Sequence, residues 1–170
     1  MQRILLLMRH AKSDWPTSAG NDFERPLADR GNKDAPTIGR WIQEHDWLPD
    51  RVICSPAKRA KQTVEHVCQQ IGMDSRTVDH DKRIYEADQS LLMTVLRETN
   101  SATTRLLMVG HNPAFSDLLI CLCPDSTHPA ADRPMPTAAL AVIALKTAWV
   151  DLDQGNGELV SLILPRTLPR

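Results

Sequence analysis

Arg9-His10 follows the apolar run Ile4-Leu5-Leu6-Leu7-Met8, and Gly110-His111 follows Leu106-Leu107-Met108-Val109. Arg59 stands four residues after Ser55, which closes a third apolar run, Val52-Ile53-Cys54. Arginine's planar donors match the oxygens of a tetrahedral anion in bidentate fashion. A neutral imidazole nitrogen carries a lone pair that can attack phosphorus, and a protonated imidazole can instead donate to the charge that spreads over phosphoryl oxygens during transfer. Two guanidinium groups and two imidazoles brought to one place would therefore hold phosphate and do chemistry on it.

The elements that must position these groups are legible as alternating strands and helices. Residues 4–8, 52–54 and 106–109 are continuously apolar, as strands covered on both faces are. Asp29 to about Asp46 repeats apolar residues at helical spacing, with Pro36 implying a kink or a later start. Ser55 reads as an N-cap and Pro56 as the first residue of a helix whose face is Ala57, Ala60, Val64, Val67, Cys68 and Ile71, with Gly72 at the C-cap. Leu91, Leu92, Val95 and Leu96 suggest another helix. Pro113 begins a further one, with Asn112 as its cap. Residues 138–145 and 159–164 flank a polar tip and read as paired strands, while 15–26 and 124–136 read as loops, the first holding Pro16, Gly20 and Asn21. This alternation predicts an α/β domain with a largely parallel sheet, whose ligands bind beyond the carboxyl ends of the strands. The three basic clusters all stand at such ends.

Composition narrows the possibilities. The 170 residues fit one ordinary domain spanning 1–170, and a formal charge of −1 provides no overall field toward nucleic acid or an anionic membrane. Cys54, Cys68, Cys121 and Cys123 lack paired ligand spacing and read as small buried thiols of a reducing compartment. The apolar run before Arg9 is too short for a signal-peptide core or a membrane span, so the cytoplasm is the expected location. His45, His66, His80 and His128 have no metal-like spacing and read as surface residues; Trp15, Trp41, Trp47 and Trp149 read as core or rim packing.

Met8-Arg9-His10-Ala11, Ser55-Pro56-Ala57-Lys58-Arg59-Ala60 and Val109-Gly110-His111-Asn112-Pro113 resemble, in order and spacing, the three signature stretches of the histidine phosphatase superfamily, also called phosphoglycerate-mutase-like. Arg25-Pro26-Leu27, Arg30-Gly31 and the Pro165-Arg166 ending make the chain most similar to the SixA-like phosphohistidine phosphatases. Ala11 stands where the superfamily often has glycine, a change that requires a negative φ. The resemblance implies a three-layer fold, a mostly parallel central sheet with helices on both faces. It also implies His10 as nucleophile, with Arg9, Arg59 and His111 gripping the phosphoryl oxygens. His111 is expected to act protonated, so the two imidazoles should differ in charge. Glu86 stands where many members carry a general acid, Ser55 could donate to phosphate as well as cap its helix, and Arg25 could reach the rim.

The expected activity is hydrolysis of phosphohistidine in proteins through a phosphohistidine intermediate on His10, with no metal and no other cofactor. The expected partner is a phosphohistidine-bearing protein, with no nucleic acid and no membrane, and the sequence leaves the oligomeric state open. A small-molecule phosphomonoesterase of the same superfamily and a non-catalytic phospho-ligand binding module are the alternatives.

Overall fold

Leu5, Leu6, Leu7 and Met8 are all fully buried, so both faces of the first strand are covered, as its unbroken apolar run requires. The computed structural model describes residues 1–15, 18, 20–127 and 133–169. Pro16 and His128 lie outside the described residues. In chain order the elements are β1 (Arg3–Arg9), α1 (Asp29–Glu44), β2 (Arg51–Cys54), α2 (Lys58–Ile71), β3 (Asp79–His80), α3 (Gln89–Arg97), β4 (Arg105–Gly110), α4 (Ala114–Leu122), β5 (Leu140–Leu145) and β6 (Gly157–Ile163). They build a single mixed sheet of order β3-β2-β4-β1-β5-β6. The pairs β3/β2, β2/β4 and β4/β1 are parallel, while β5 and β6 complete the sheet antiparallel.

Side-chain alternation distributes each strand between two cores. Leu5, Leu7, Leu106 and Met108 pack with Leu92, Leu96, Phe115 and Leu118 of α3 and α4. Leu6, Met8, Leu107 and Val109 pack with Ile38, Ile42, Val64 and Val67 of α1 and α2. The result is the expected three-layer α/β arrangement. Truncating one of these buried leucines to alanine costs about 2–5 kcal/mol. The core therefore fixes the strands firmly, and the strand ends inherit that rigidity.

Two local readings are narrowed or corrected. Of the two alternatives for Pro36 the later start is excluded, since α1 begins at Asp29 with Pro36 inside it; Ala35, Ile38 and Ile42 bury the helix's apolar stripe and tertiary packing outweighs the lost amide bond. The second helix begins at Lys58 with Ala57 at its N-cap, so Ser55 is not its cap. Gly72 does close α2, in the left-handed conformation at φ 70°. Among the described residues no helix is long and apolar enough to cross a membrane. All four cysteines are free, and burial pushes the Cys68 and Cys123 thiols up to about 11, away from thiolate chemistry.

Candidate active site

The register of the three central strands decides what meets at their ends. Arg9 pairs with Gly110 across β1 and β4, and Cys54 pairs with Val109 across β2 and β4. His10, Ser55 and His111 therefore leave the sheet side by side. Backbone bonds continue the ladder past the strand ends, from His10 N–H to Gly110 O at 2.9 Å and from Ser55 N–H to Val109 O at 3.0 Å. A Cβ on Gly110 would lie 2.5 Å from the Phe115 ring. Only glycine lets β4 end tight against α4 at the point where His111 turns into the site.

A cavity of about 420 Å³ opens at this edge, lined by Arg9, His10, Arg25, Arg59, Glu86 and His111 among others. The His10 and His111 rings sit 5.1 Å apart between centroids. His10 Nδ1 lies 2.7 Å from Ala11 O. A carbonyl only accepts, so Nδ1 carries the proton and Nε2 keeps its lone pair. Burial pushes the His10 imidazole down to about 3, against the raising effect of that backbone bond and with help from His111, Arg59 and Arg9. Burial first, and then the Arg59 charge, push His111 down to about 3 as well, opposed by Asp22. Both imidazoles are thus neutral near pH 7 when the cavity holds no anion. In the free protein a buried ring beside cationic Arg59 therefore carries a single proton; a protonated His111 is expected only with phosphate bound, whose charge favours the second proton.

Arg9 Nη1 donates to Met135 O at 2.8 Å, and burial followed by the Arg59 charge lowers its guanidinium below the usual range. Arg59, 6% exposed in the first turn of α2, meets a group the sequence did not mark. Its Nη1 donates to Asp22 O at 2.7 Å and its Nη2 to Asp22 Oδ2 at 3.0 Å. The same carboxylate accepts from Arg25 Nη1 at 3.0 Å and from Tyr85 Oη at 2.8 Å. Partial burial works to raise the Asp22 carboxyl, but the bonds from Tyr85, Arg25 and Arg59 outweigh it and hold it down to about 2. Arg9 Nε, Arg59 Nε and His111 Nδ1 are buried without a hydrogen-bond partner among the described residues. Unsatisfied buried donors cost about 1–3 kcal/mol each.

Arg9, His10, Arg59 and His111 are therefore brought together as expected, and Glu86 and Arg25 line the same cavity. Glu86 is exposed. Arg25 is tied to Asp22, donates to Ser13 Oγ at 2.7 Å and stacks over the Trp15 ring at 4.0 Å, so it is both a rim residue and an ion-pair member. Ser55 differs from expectation. It is fully buried, its Oγ accepts from Ala57 N–H at 3.2 Å, and it lies 2.7 Å from His111 Nε2. That places its hydroxyl behind the imidazole and away from an incoming phosphate. Asn112 Oδ1 accepts from Ser116 N–H and Ser116 Oγ, one residue ahead of the helix's N-cap position at Pro113. Ala11 has no positive φ and binds Thr63 Oγ1 through its amide, so alanine fits there.

Asp22 and Tyr85 are the site residues that pattern reading missed. Asp22 sits in an irregular stretch and acquires meaning only through side chains distant in sequence; Tyr85 was visible only as a neighbour of Glu86. His45 and His80 are exposed as expected, and His66 is half-buried against Asn32. Trp149 is core, while Trp15 is 63% exposed at the rim. Among the described residues no three His, Cys, Asp or Glu side chains gather as a metal site would require.

Known proteins are similar to this chain in sequence and in fold. Residues 5–101 match the family model of the histidine phosphatase superfamily (branch 1). An uncharacterized protein of Mycobacterium tuberculosis (strain ATCC 25618 / H37Rv) is 35% identical over 164 residues, covering 94% of this chain and 100% of the relative. Phosphohistidine phosphatase SixA of Escherichia coli (strain K12) is 28% identical over 154 residues, covering 90% of this chain and 88% of the relative. The solved structure of the protein histidine phosphatase SixA complexed with tungstate superposes with a TM-score of 0.77 at 27% identity, covering 98% of this chain and 99% of that one.

Proposed function

The chain belongs to the histidine phosphatase superfamily (branch 1), in its SixA-like group, and from that premise we propose that this phosphatase hydrolyses phosphohistidine in proteins by passing the phosphoryl group through His10. The observation that carries the reading is the state of His10. Its Nδ1 proton is committed to Ala11 O, its Nε2 lone pair is free, and its ring is uncharged among Arg9, Arg59 and His111.

In the first step His10 Nε2 attacks phosphorus and the bond from phosphorus to the substrate nitrogen breaks. The departing imidazole takes a proton on its other nitrogen and leaves neutral. In the second step water attacks the phosphorylated His10, releasing inorganic phosphate and regenerating the free imidazole. Charge on the transferring oxygens is met by Arg9, Arg59 and His111, and no metal ion is required for that task. Four free cysteines fit a cytoplasmic setting.

The chain between Arg59 and His111 is occupied by the rest of α2, β3, α3, β4 and short turns, leaving no long insertion there to enclose a small substrate. An open cavity admits a side chain presented by another protein but lacks the remote contacts that strengthen the binding of small esters. The presence of Glu86 at the cavity favours a second reading, a small-molecule phosphomonoesterase, because an alkoxide leaving group needs an acid. Measuring kcat/KM for a phosphohistidine protein beside a panel of sugar and glycerate esters separates the two. The protein substrate should be preferred, in buffer containing EDTA, and Glu86→Gln should slow ester cleavage much more than phosphohistidine cleavage. Preference for a small ester moves the function to the second reading.

A further inference from the structure

We propose that Ser55 is a positioning residue that fixes the proton of His111 on Nδ1, so that His111 keeps an N–H for the phosphoryl group. The inference deepens the phosphatase reading and rests on it only in placing His111 against phosphate.

Ser55 is fully buried, so water cannot complete its hydrogen bonds. Its Oγ already accepts the Ala57 N–H at 3.2 Å, and its own proton needs an acceptor. Among the described residues the acceptor within reach is His111 Nε2, 2.7 Å away. Were the imidazole to donate from Nε2 instead, the hydroxyl proton would be buried with no acceptor. Nδ1 would then be a bare lone pair in an anion pocket, where it can only repel phosphoryl oxygens. Both ends of the chain of bonds select the same tautomer: Ala57 N–H to Ser55 Oγ, Ser55 O–H to His111 Nε2, and Nδ1–H left over. Nδ1 is indeed buried with no partner among the described residues.

The two site histidines then share one tautomer and put it to opposite uses. At His10 the protein takes the N–H, through Ala11 O, and leaves the lone pair. At His111 it takes the lone pair, through Ser55, and leaves the N–H. A nucleophile and a donor are made from the same neutral ring by choosing which nitrogen the scaffold occupies. The choice is rigid, because Ser55 N–H bonds to Val109 O at 3.0 Å and the parallel pairing of β2 with β4 holds Ser55 and His111 in register. The lowered proton affinity of the buried His111 agrees with a single ring proton in the free protein.

The test reads tautomers directly. The full chain labelled with 15N-histidine is studied by long-range 1H–15N spectroscopy at neutral pH, free and with orthovanadate. His111 should show a protonated Nδ1 in both states and a bare Nε2 in the free protein. In Ser55→Ala the signals should move toward an Nε2–H population and kcat should fall about tenfold with little change in KM, less than for loss of a whole oxyanion donor. Ser55→Thr, which keeps the hydroxyl, should restore both. An Nε2–H tautomer in the unmodified protein, or unchanged nitrogen shifts in Ser55→Ala, overturns the proposal. If the substituted proteins do not fold, the unmodified protein's spectrum alone decides the tautomer. A failure of the phosphohistidine reading would leave the spectra as described and appear only in the substrate panel.

Discussion

The cavity is built in two ways. Its inner wall is Arg9, His10 and His111, which leave the adjoining parallel strands β1 and β4 within one residue of their ends, with Arg59 beside them in the first turn of α2 and Ser55 behind His111 at the end of β2, so the hydrogen-bonded register of the sheet sets the spacing. Its outer wall, Asp22, Arg25 and Glu86, comes from connecting segments, and Asp22 and Arg25 are held by ion pairs around the Asp22 carboxylate, whose side chain is 43% exposed. Register is fixed by many buried contacts, whereas the outer wall depends on a few side-chain bonds to one half-exposed carboxylate. The inner wall is thus suited to chemistry that tolerates little displacement, and the outer wall to contacts that rearrange when a substrate arrives.

Acid should expose the difference most strongly. His10 and His111 are held near 3 in the folded chain against an ordinary value of about 6.5 when unfolded. The unfolded state therefore binds protons first as pH falls, and stability is full above about 6.5 and declines toward 3. Between pH 7 and 5, before carboxylates titrate, the loss is about 2 kcal/mol per imidazole. Urea midpoints across this range should fall in the unmodified protein and fall less in His10→Asn and His111→Asn. A flat profile would mean the rings are charged or solvated and the inner wall is looser than described.

Next in size is Arg59→Ala, which removes an inner-wall donor whose bonds strengthen as charge spreads during transfer. Turnover should drop by roughly a hundredfold or more, the scale of a lost oxyanion donor. If steady-state kinetics show only a raised KM, Arg59 contributes uniform binding and belongs functionally with the rim.

The smallest effect belongs to the outer wall. Asp22 engages both Nη atoms of Arg59 in the free protein, and a phosphate must compete with its charge. Asp22→Asn keeps a hydrogen-bonding side chain and removes the charge, so orthovanadate inhibition should tighten about three- to tenfold, with a smaller loss of turnover than Arg59→Ala. Weaker inhibition would show that Asp22 chiefly orients Arg59 and would join the two walls into one device.

The sequence made the inner wall legible because a buried strand is an unbroken apolar run and the polar residues that end it are conspicuous. Ile4 to Met8 and Leu106 to Val109 mark their own boundaries, and the strand-end rule for α/β sheets then places Arg9, His10 and His111 together. Asp22 stayed hidden because its partners, Arg59 and Tyr85, lie 37 and 63 residues away, a pairing with no periodic signature. Ser55 was seen but misassigned: a Ser-Pro pair before a helical stripe reads as a cap whether the hydroxyl serves the helix or turns to an imidazole. The two-residue β3 is too short to leave a pattern, and Pro36 was read by its local cost, which core packing overrides.

The central claim is that His10 Nε2 carries the phosphoryl group between substrate and water. Rapid quenching during turnover, followed by mass mapping of the modified residue and its stability to acid and alkali, tests it most directly. The account predicts a phosphoramidate on His10, labile in acid and stable in alkali, absent from His10→Ala. An alkali-labile adduct, an adduct on another residue, or undiminished trapping in His10→Ala would contradict it.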